Sequence, residues 1–151
     1  MTIKKVHFQK IGKMKTLYTI KATAVGGRNG HVRSDYNLID ADVRLPKALG
    51  GKDDEHLTPE VFFAAGYAAC FDNAVMHIIR LEKVISDPPV VTAKVDLVFL
   101  NPGMVGLAVE LLVEIPGVDH EIATELVRKA HQICPYSNAT RGNIEVKLTI
   151  K

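Results

Sequence analysis

Residues 58–83 form an apolar stretch that constrains the fold more than any other part of this 151-residue chain. Thr58 is a favourable N-cap, and Pro59 stands at the first helical position, where a missing N–H costs nothing. From Val61 to Ile79 apolar residues occupy almost every side of a helix rather than one stripe. Polar residues interrupt the run, which disfavours a membrane span. The stretch therefore predicts the buried central helix of a soluble core.

Composition excludes several classes of protein. The hydrophobic content of 47% suits one globular domain. The formal net charge of +2 is too small to indicate a nucleic-acid partner. We expect a single domain over residues 1–151, with a weakly patterned, basic extension over residues 1–15. No apolar signal segment is evident and the chain has only two cysteines, so we expect a reducing, cytoplasmic location.

Alternating apolar residues predict six strands around the central helix. They are expected over residues 16–25, 31–34, 38–45, 90–100, 107–115 and 143–150. A second helix is predicted from Asp119, a favourable N-cap, to Ile133, where Cys134-Pro135 closes it. The order βββ-α-ββ-α-β indicates an α+β fold with largely antiparallel sheet.

The two cysteines, Cys70 and Cys134, allow more than one interpretation. The six histidines show no paired ligand spacing, so we expect no metal site. Free cysteine is among the most buried residue types, so an inert packing role for Cys70 is the simplest explanation from composition. A non-catalytic carrier of apolar small molecules, with both cysteines incidental, is a second possibility.

Four segments of the chain carry a family resemblance. They are Gly26-Gly27-Arg28, Leu49-Gly50-Gly51, Pro59-Glu60 with Phe63-Ala64-Ala65-Gly66-Tyr67-Ala68-Ala69-Cys70-Phe71, and Cys134-Pro135-Tyr136-Ser137-Asn138-Ala139-Thr140-Arg141-Gly142-Asn143. In this order they resemble the organic hydroperoxide resistance (Ohr) branch of the OsmC/Ohr family, from about residue 17 to the C-terminus. The last block is specific to that branch, and the related OsmC branch, of broader substrate range, should differ after the second cysteine and its proline, Cys134-Pro135.

The resemblance implies an intertwined, OsmC-like homodimer with thiol peroxidase activity. Such a protein reduces alkyl and fatty-acid hydroperoxides to alcohols, binds no cofactor, and is recycled by the dihydrolipoyl dithiol of a lipoylated partner protein. Cys70 corresponds to the peroxidatic thiol and Cys134 to the resolving thiol, so that a Cys70–Cys134 disulfide forms. Arg28 and Glu60 correspond to the activating pair.

Helix position supports this division between the two thiols. Cys134 lies at a helix C-terminus, where the dipole disfavours a thiolate. Cys70 lies too deep in its helix for dipole help, so apolar surroundings would raise its pKa unless a cation were near. Arg28, on a glycine-rich turn, is the expected cation, and Glu60 would hold it through a bidentate pair. The alternative for Arg28 is that it is a solvated turn residue. The alternative for Glu60 is that it is an acid favoured in the first turn of a helix.

Two further expectations concern the substrate and the second subunit. Phe71 and Tyr136 would flank the site and favour oily hydroperoxides, since these gain from burying a chain. Glu60 and Cys70 are ten residues apart, or about 15 Å along an unbroken helix. Either the helix breaks near Gly66, or the Glu60 that serves a given Cys70 comes from a second copy of the chain. We expect the second arrangement, with active sites at the subunit interface.

Overall fold

The structure is a computed structural model that describes residues 15–151. The predicted N-terminal extension, apart from its last residue, lies outside the described residues. The described chain forms two compact units, residues 15–43 and Arg44–Lys151, and each is described by itself. The expectation of one domain over residues 1–151 stays a prediction.

The first unit is a three-stranded antiparallel meander. Its strands are β1 (Ala22–Val25), β2 (His31–Ser34) and β3 (Asp40–Asp42), in the order β1-β2-β3. The meander confirms the prediction, but β1 and β3 are shorter than expected. The regular ladder is short because β2 has only four residues, His31–Ser34, with which both neighbours pair.

The turn between β1 and β2 depends on its glycines. Gly26 adopts a positive φ of 82°, a conformation that costs glycine little. A Cβ on Gly30 would lie 1.8 Å from the carbonyl oxygen of Val25, which leaves no room for a side chain. Between these glycines a short 3₁₀ helix, Gly27–Asn29, carries Arg28.

The second unit contains the helices and a second sheet. Its elements are α1 (Pro59–Leu81), β4 (Val90–Asn101), β5 (Met104–Glu114), α2 (His120–Ile133), α3 (Pro135–Thr140) and β6 (Glu145–Ile150). The strand order is β4-β5-β6, with β4 and β5 antiparallel and β6 parallel to β5. The predicted hairpin is confirmed, as is the largely antiparallel character of the fold.

The short helix α3 was not predicted. The sequence pattern treats Pro135 as the end of the second helix, whereas Pro135 is the first residue of a new one. Proline tolerates that position because its missing N–H has no partner there. Cys134 is therefore both the C-cap of α2 and the N-cap of α3.

Helix α1 begins as predicted, with the Thr58 hydroxyl accepting a hydrogen bond from Val61 N at 3.3 Å. It continues through Gly66 without a break, so the alternative of a helix broken there is wrong. One face of α1 is buried in the core against the second sheet and α2. Its buried residues are Tyr67, Phe71, Ala74, Val75, Ile78 and Ile79. The opposite face, including Val61, Ala65 and Ala69, is exposed in the single chain, so burial is narrower than the apolar pattern predicted.

Length and composition alone would allow α1 to cross a membrane, and no other described helix meets that test. Core helices of soluble proteins meet it as well, so it is weak evidence. In this structure α1 packs against β4 and α2, and its buried face shares one hydrophobic core with Val109, Leu111 and Val113 of β5.

Candidate dithiol site

Cys70 and Cys134 lie side by side although 64 residues separate them in the chain. Their sulfur atoms are 3.6 Å apart, and the Cys134 thiol donates a weak hydrogen bond to the Cys70 sulfur. Both are free thiols; Cys134 is fully buried and Cys70 is partly exposed. The two cysteines are therefore in contact in the reduced state, and the more accessible one is Cys70.

The surroundings of Cys70 favour its neutral form. Burial raises the pKa of the Cys70 thiol above its ordinary value, and the neighbouring Cys134 adds to the rise. The backbone of Tyr136 acts in the opposite direction and lowers the pKa of Cys70. A thiolate at Cys70 therefore requires a stabilising charge beyond these neighbours.

Tyr136 covers α1 beside Cys70. Its side chain is 39% exposed, and its ring contacts the rings of Phe63 and Tyr67 at centroid distances of 6.3 and 5.7 Å. A Cβ placed on Gly66 would come 2.9 Å from the Tyr136 hydroxyl oxygen. The glycine therefore provides the space that the Tyr136 ring occupies.

Phe71 has no exposed surface. Its ring packs against Tyr67 at 6.4 Å and against His131 at 6.3 Å, inside the hydrophobic core. The structure gives this side chain a packing role, and the expected contact with substrate stays a prediction.

Three buried hydroxyl groups connect α1 to α3. The Tyr67 hydroxyl lies 3.0 Å from Ser137 Oγ and 3.3 Å from Thr140 Oγ1. These residues were not singled out from the sequence. The available signal was positional, because Tyr67 precedes Cys70 by three residues and Ser137 follows Cys134 by three.

Arg141 fixes the corner between α2 and α3 from the outside. Its guanidinium donates to the carbonyl oxygen of His131 at 2.8 Å and to Asn138 Oδ1 at 2.7 Å. Burial lowers the pKa of His131, and the nearby Arg141 charge adds to this effect. The corner that carries Cys134 is thus held by Arg141 on one side and by the hydroxyl groups on the other.

Glu60 and Arg28 lie in different units. Glu60 is in the first turn of α1 and lines a groove of about 320 Å³ with apolar side chains that include Leu49, Phe99 and Val105. On the unbroken helix it stands ten residues from Cys70, about 15 Å along the axis. Arg28 is half-buried on its 3₁₀ turn. The activating pair stays a prediction.

Metal binding has no support in the described part of the chain. Within residues 15–151, no three His, Cys, Asp or Glu side chains are placed to hold a metal ion.

An α+β fold with a contacting cysteine pair defines a dithiol protein, and comparison with known proteins specifies the family. Residues 51–149 match the family model described as OsmC-like protein. The chain belongs to the OsmC family.

Relatives within the family are closely similar along most of their length. The chain is 45% identical over 136 residues to the organic hydroperoxide resistance protein of Xanthomonas axonopodis pv. citri (strain 306), covering 90% of this chain and 96% of that one. It is 42% identical over 136 residues to OhrB of Bacillus subtilis (strain 168), covering 89% and 98% respectively. A crystal structure of an organic hydroperoxide resistance protein from Elizabethkingia anophelis has a TM-score of 0.86 and 57% identity, covering 91% and 99%.

Proposed function

We propose that this chain reduces organic hydroperoxides to alcohols, with Cys70 as the attacking thiolate and Cys134 as the resolving thiol. The observation that carries the proposal is the 3.6 Å contact between the two sulfur atoms. The names of the relatives, organic hydroperoxide resistance proteins, support the choice of substrate class.

The reaction has two steps that follow from thiol chemistry. The Cys70 thiolate attacks the terminal oxygen of ROOH, the O–O bond breaks, and RO⁻ leaves and takes a proton to become the alcohol. Cys70 becomes a sulfenic acid. The Cys134 sulfur then attacks the Cys70 sulfur, the S–O bond breaks, and water leaves as the disulfide forms.

Activation is assigned to Arg28 and Glu60. Because burial raises the pKa of Cys70, a permanent positive charge near its sulfur is needed to populate the thiolate. A guanidinium keeps its charge when buried, and a carboxylate can orient it by a bidentate pair. Arg28 would also stabilise the departing alkoxide.

An external dithiol resets the disulfide, and we assign this role to the dihydrolipoyl group of a lipoylated protein. Cys134 has no exposed surface, whereas Cys70 is partly exposed. The incoming thiolate therefore attacks the Cys70 sulfur and releases Cys134 as the leaving thiol. We place this cycle in the cytoplasm, where reductants keep thiols reduced, and we expect no bound cofactor.

A second copy of the chain completes the proposed protein. The face of α1 with Val61, Ala65 and Ala69 is exposed, and Phe99 on the β4–β5 hairpin is 86% exposed. Exposed apolar surface of this kind marks an interaction site. An isologous homodimer would bury this face of α1 in both subunits. It would also bring Glu60 of one chain to Cys70 of the other, since an unbroken α1 keeps the two residues of one chain apart.

The decisive experiment is a turnover assay with purified, reduced protein. We expect consumption of cumene hydroperoxide when dihydrolipoamide is present, and slower consumption of hydrogen peroxide, which has no apolar chain to bury. A Cys70→Ser protein is the control. A carrier of apolar molecules would bind the hydroperoxide without consuming it, and that result would refute the proposal.

A further inference from the structure

A cluster of three buried hydroxyl groups joins α1 to α3 close to the two sulfur atoms. Tyr67 and Ser137 have no exposed surface and Thr140 has 4%. The Tyr67 hydroxyl bonds to both partners, and Thr140 Oγ1 also donates to the backbone carbonyls of Tyr136 and Ser137 at 3.0 and 3.2 Å. We call Tyr67, Ser137 and Thr140 the hydroxyl cluster.

The hydroxyl cluster is positioned symmetrically with respect to the cysteines. Tyr67 lies three residues before Cys70 on α1, and Ser137 lies three residues after Cys134 on α3. Three residues are about one helical turn, so each hydroxyl stands on nearly the same helix face as its cysteine. The bond of 3.0 Å between Tyr67 and Ser137 and the sulfur contact of 3.6 Å are thus two neighbouring bridges across one helix pair.

Helix α3 needs such an anchor because it is too short to be stable alone. It has six residues, and no side-chain hydrogen bond caps its N-terminus. Isolated helices of this length do not persist in water, so tertiary contacts must fix its place. A buried hydroxyl that loses its partner also costs more than an ordinary hydrogen bond contributes, so the cluster resists separation of α3 from α1.

We propose that the hydroxyl cluster positions α3 for the resolving step, so that the Cys134 sulfur remains within reach of Cys70 after Cys70 is oxidised. The inference rests on the proposed peroxidase function and adds positioning residues to it. Formation of the disulfide requires the sulfurs to close from 3.6 Å to about 2.0 Å. The cluster limits the other motions of α3, which would carry Cys134 away from a sulfenic acid that forms on Cys70.

The test separates the first oxidation from the resolution. Tyr67→Phe removes one hydroxyl and retains the buried ring, and Ser137→Ala removes the partner. Each reduced protein receives one equivalent of cumene hydroperoxide, and quenched samples are analysed by mass spectrometry for disulfide. The first oxidation is measured separately in a Cys134→Ser background by trapping the Cys70 sulfenic acid with dimedone.

We expect both variants to form the sulfenic acid within about twofold of the wild-type rate but to form the disulfide about tenfold more slowly, the effect of losing roughly one buried hydrogen bond. The slow step leaves the sulfenic acid exposed to a second hydroperoxide, so sulfinic acid on Cys70 should increase. The double variant should be no slower than the slower single variant, because both changes break the same bridge.

A matched control is Tyr36→Phe, which removes the hydroxyl of an 87% exposed tyrosine far along the sequence from both cysteines. It should resolve at the wild-type rate. Thr140→Val against Thr140→Ser gives a second comparison, because only the serine retains a hydroxyl. This pair carries the test if Tyr67→Phe does not fold, as judged by circular dichroism.

Two results would overturn the positioning role. One is disulfide formation at the wild-type rate in folded Tyr67→Phe and Ser137→Ala proteins. The other is an equal slowing of both steps, which indicates general loosening of the site. If the wild-type protein does not reduce hydroperoxides, the proposed function is wrong, but the positioning role can still be tested. In that case diamide oxidises the dithiol, and the rates of disulfide formation in the same variants are compared.

Discussion

The ring of Tyr136 occupies the space that a side chain at Gly66 would need, so close that a Cβ there would lie 2.9 Å from the tyrosine hydroxyl oxygen. The backbone of the same Tyr136 also acts on Cys70, one turn further along α1, and lowers the pKa of its thiol. A glycine in the middle of a helix is normally a cost of about 1 kcal/mol relative to alanine. Here that cost is accepted because α3 approaches α1 at this point.

Gly66→Ala should therefore lower the free energy of unfolding in the wild-type chain and raise it in a Tyr136→Ala background. In the wild-type chain the new methyl group displaces Tyr136, and overpacking of this kind costs about 1–3 kcal/mol. In a Tyr136→Ala background the clash is absent, and alanine gains about 1 kcal/mol in helix propensity. Urea unfolding of the four proteins gives the coupling free energy, which should exceed about 1 kcal/mol. Additive effects would show that Tyr136 does not depend on Gly66.

The two cysteines should differ in what their loss abolishes. Cys70→Ser should remove hydroperoxide consumption entirely, because no sulfur remains to attack the O–O bond. Cys134→Ser should still react once with cumene hydroperoxide and then stop, since dithiol-driven recycling needs the disulfide. Stoichiometry per chain, with dimedone trapping on Cys70, measures the difference. If Cys134→Ser loses the first reaction with hydroperoxide as well as recycling, and no sulfenic acid is trapped on Cys70, the assignment of Cys134 as the resolving thiol is contradicted.

Subunit exchange tests whether Glu60 and Cys70 of one site come from two chains. Glu60→Ala and Cys70→Ser should each be inactive as homodimers. In a shared-site heterodimer one site regains both residues, so an equal mixture should recover about a quarter of wild-type activity. The fraction of heterodimer is verified by native mass spectrometry with one isotope-labelled partner. Proven exchange without recovery would place both residues of a site on one chain.

His31 should make the stability of the first unit depend on pH. Its Nδ1 lies 2.8 Å from Asp42 Oδ1 and its Nε2 lies 2.6 Å from Asp40 Oδ1, and these bonds raise the pKa of His31, the one to Asp42 most. Arg33 also pairs with Asp40, at 3.1 Å. A base with a raised pKa contributes stability that is fully present below its unfolded pKa of about 6.5 and is lost as pH rises through the folded value.

The measurement compares Tm of the wild-type protein and His31→Gln between pH 5 and pH 9. The wild type should be the more stable at the acid end, and the difference should shrink towards the alkaline end. The same substitution in an Asp40→Asn, Asp42→Asn background should show no such trend, because the carboxylates that hold the imidazolium are gone. A constant difference across the range would contradict the expectation.

Local signals explain which parts of the fold were predictable. Helix α1 and the β4–β5 hairpin follow from N-cap chemistry, turn residues and alternation that lie within a few positions of each other. Helix α3 was not predictable because six residues are too few to show a helical periodicity, and Pro135 indicates the end of a helix as readily as the start of one. The exposed face of α1 escaped because an apolar pattern shows which residues avoid water but not which neighbour covers them.

The site was predictable to a different extent for each residue. The pairing of Cys70 with Cys134 came from the family resemblance, since no local pattern connects positions 64 residues apart. The bond between Tyr67 and Ser137 depends on the packing of α3 against α1, which sequence periodicity does not contain. The roles of Arg28 and Glu60 stay predictions, and subunit exchange tests that of Glu60.

The contact between the two sulfurs also has a consequence for the newly made chain. Cys134 reaches Cys70 only once α2 and α3 have folded, and these lead into β6, the strand that pairs with β5 at the end of the sequence. Translation at about 5–20 residues per second takes on the order of 3–13 s to cover the 64 residues between the cysteines. During that interval the ribosome presents Cys70 without the thiol that we propose as its resolving partner. Under the proposed mechanism, oxidation of a nascent chain would therefore pass the sulfenic acid stage and become irreversible damage, whereas the completed protein would resolve the same lesion.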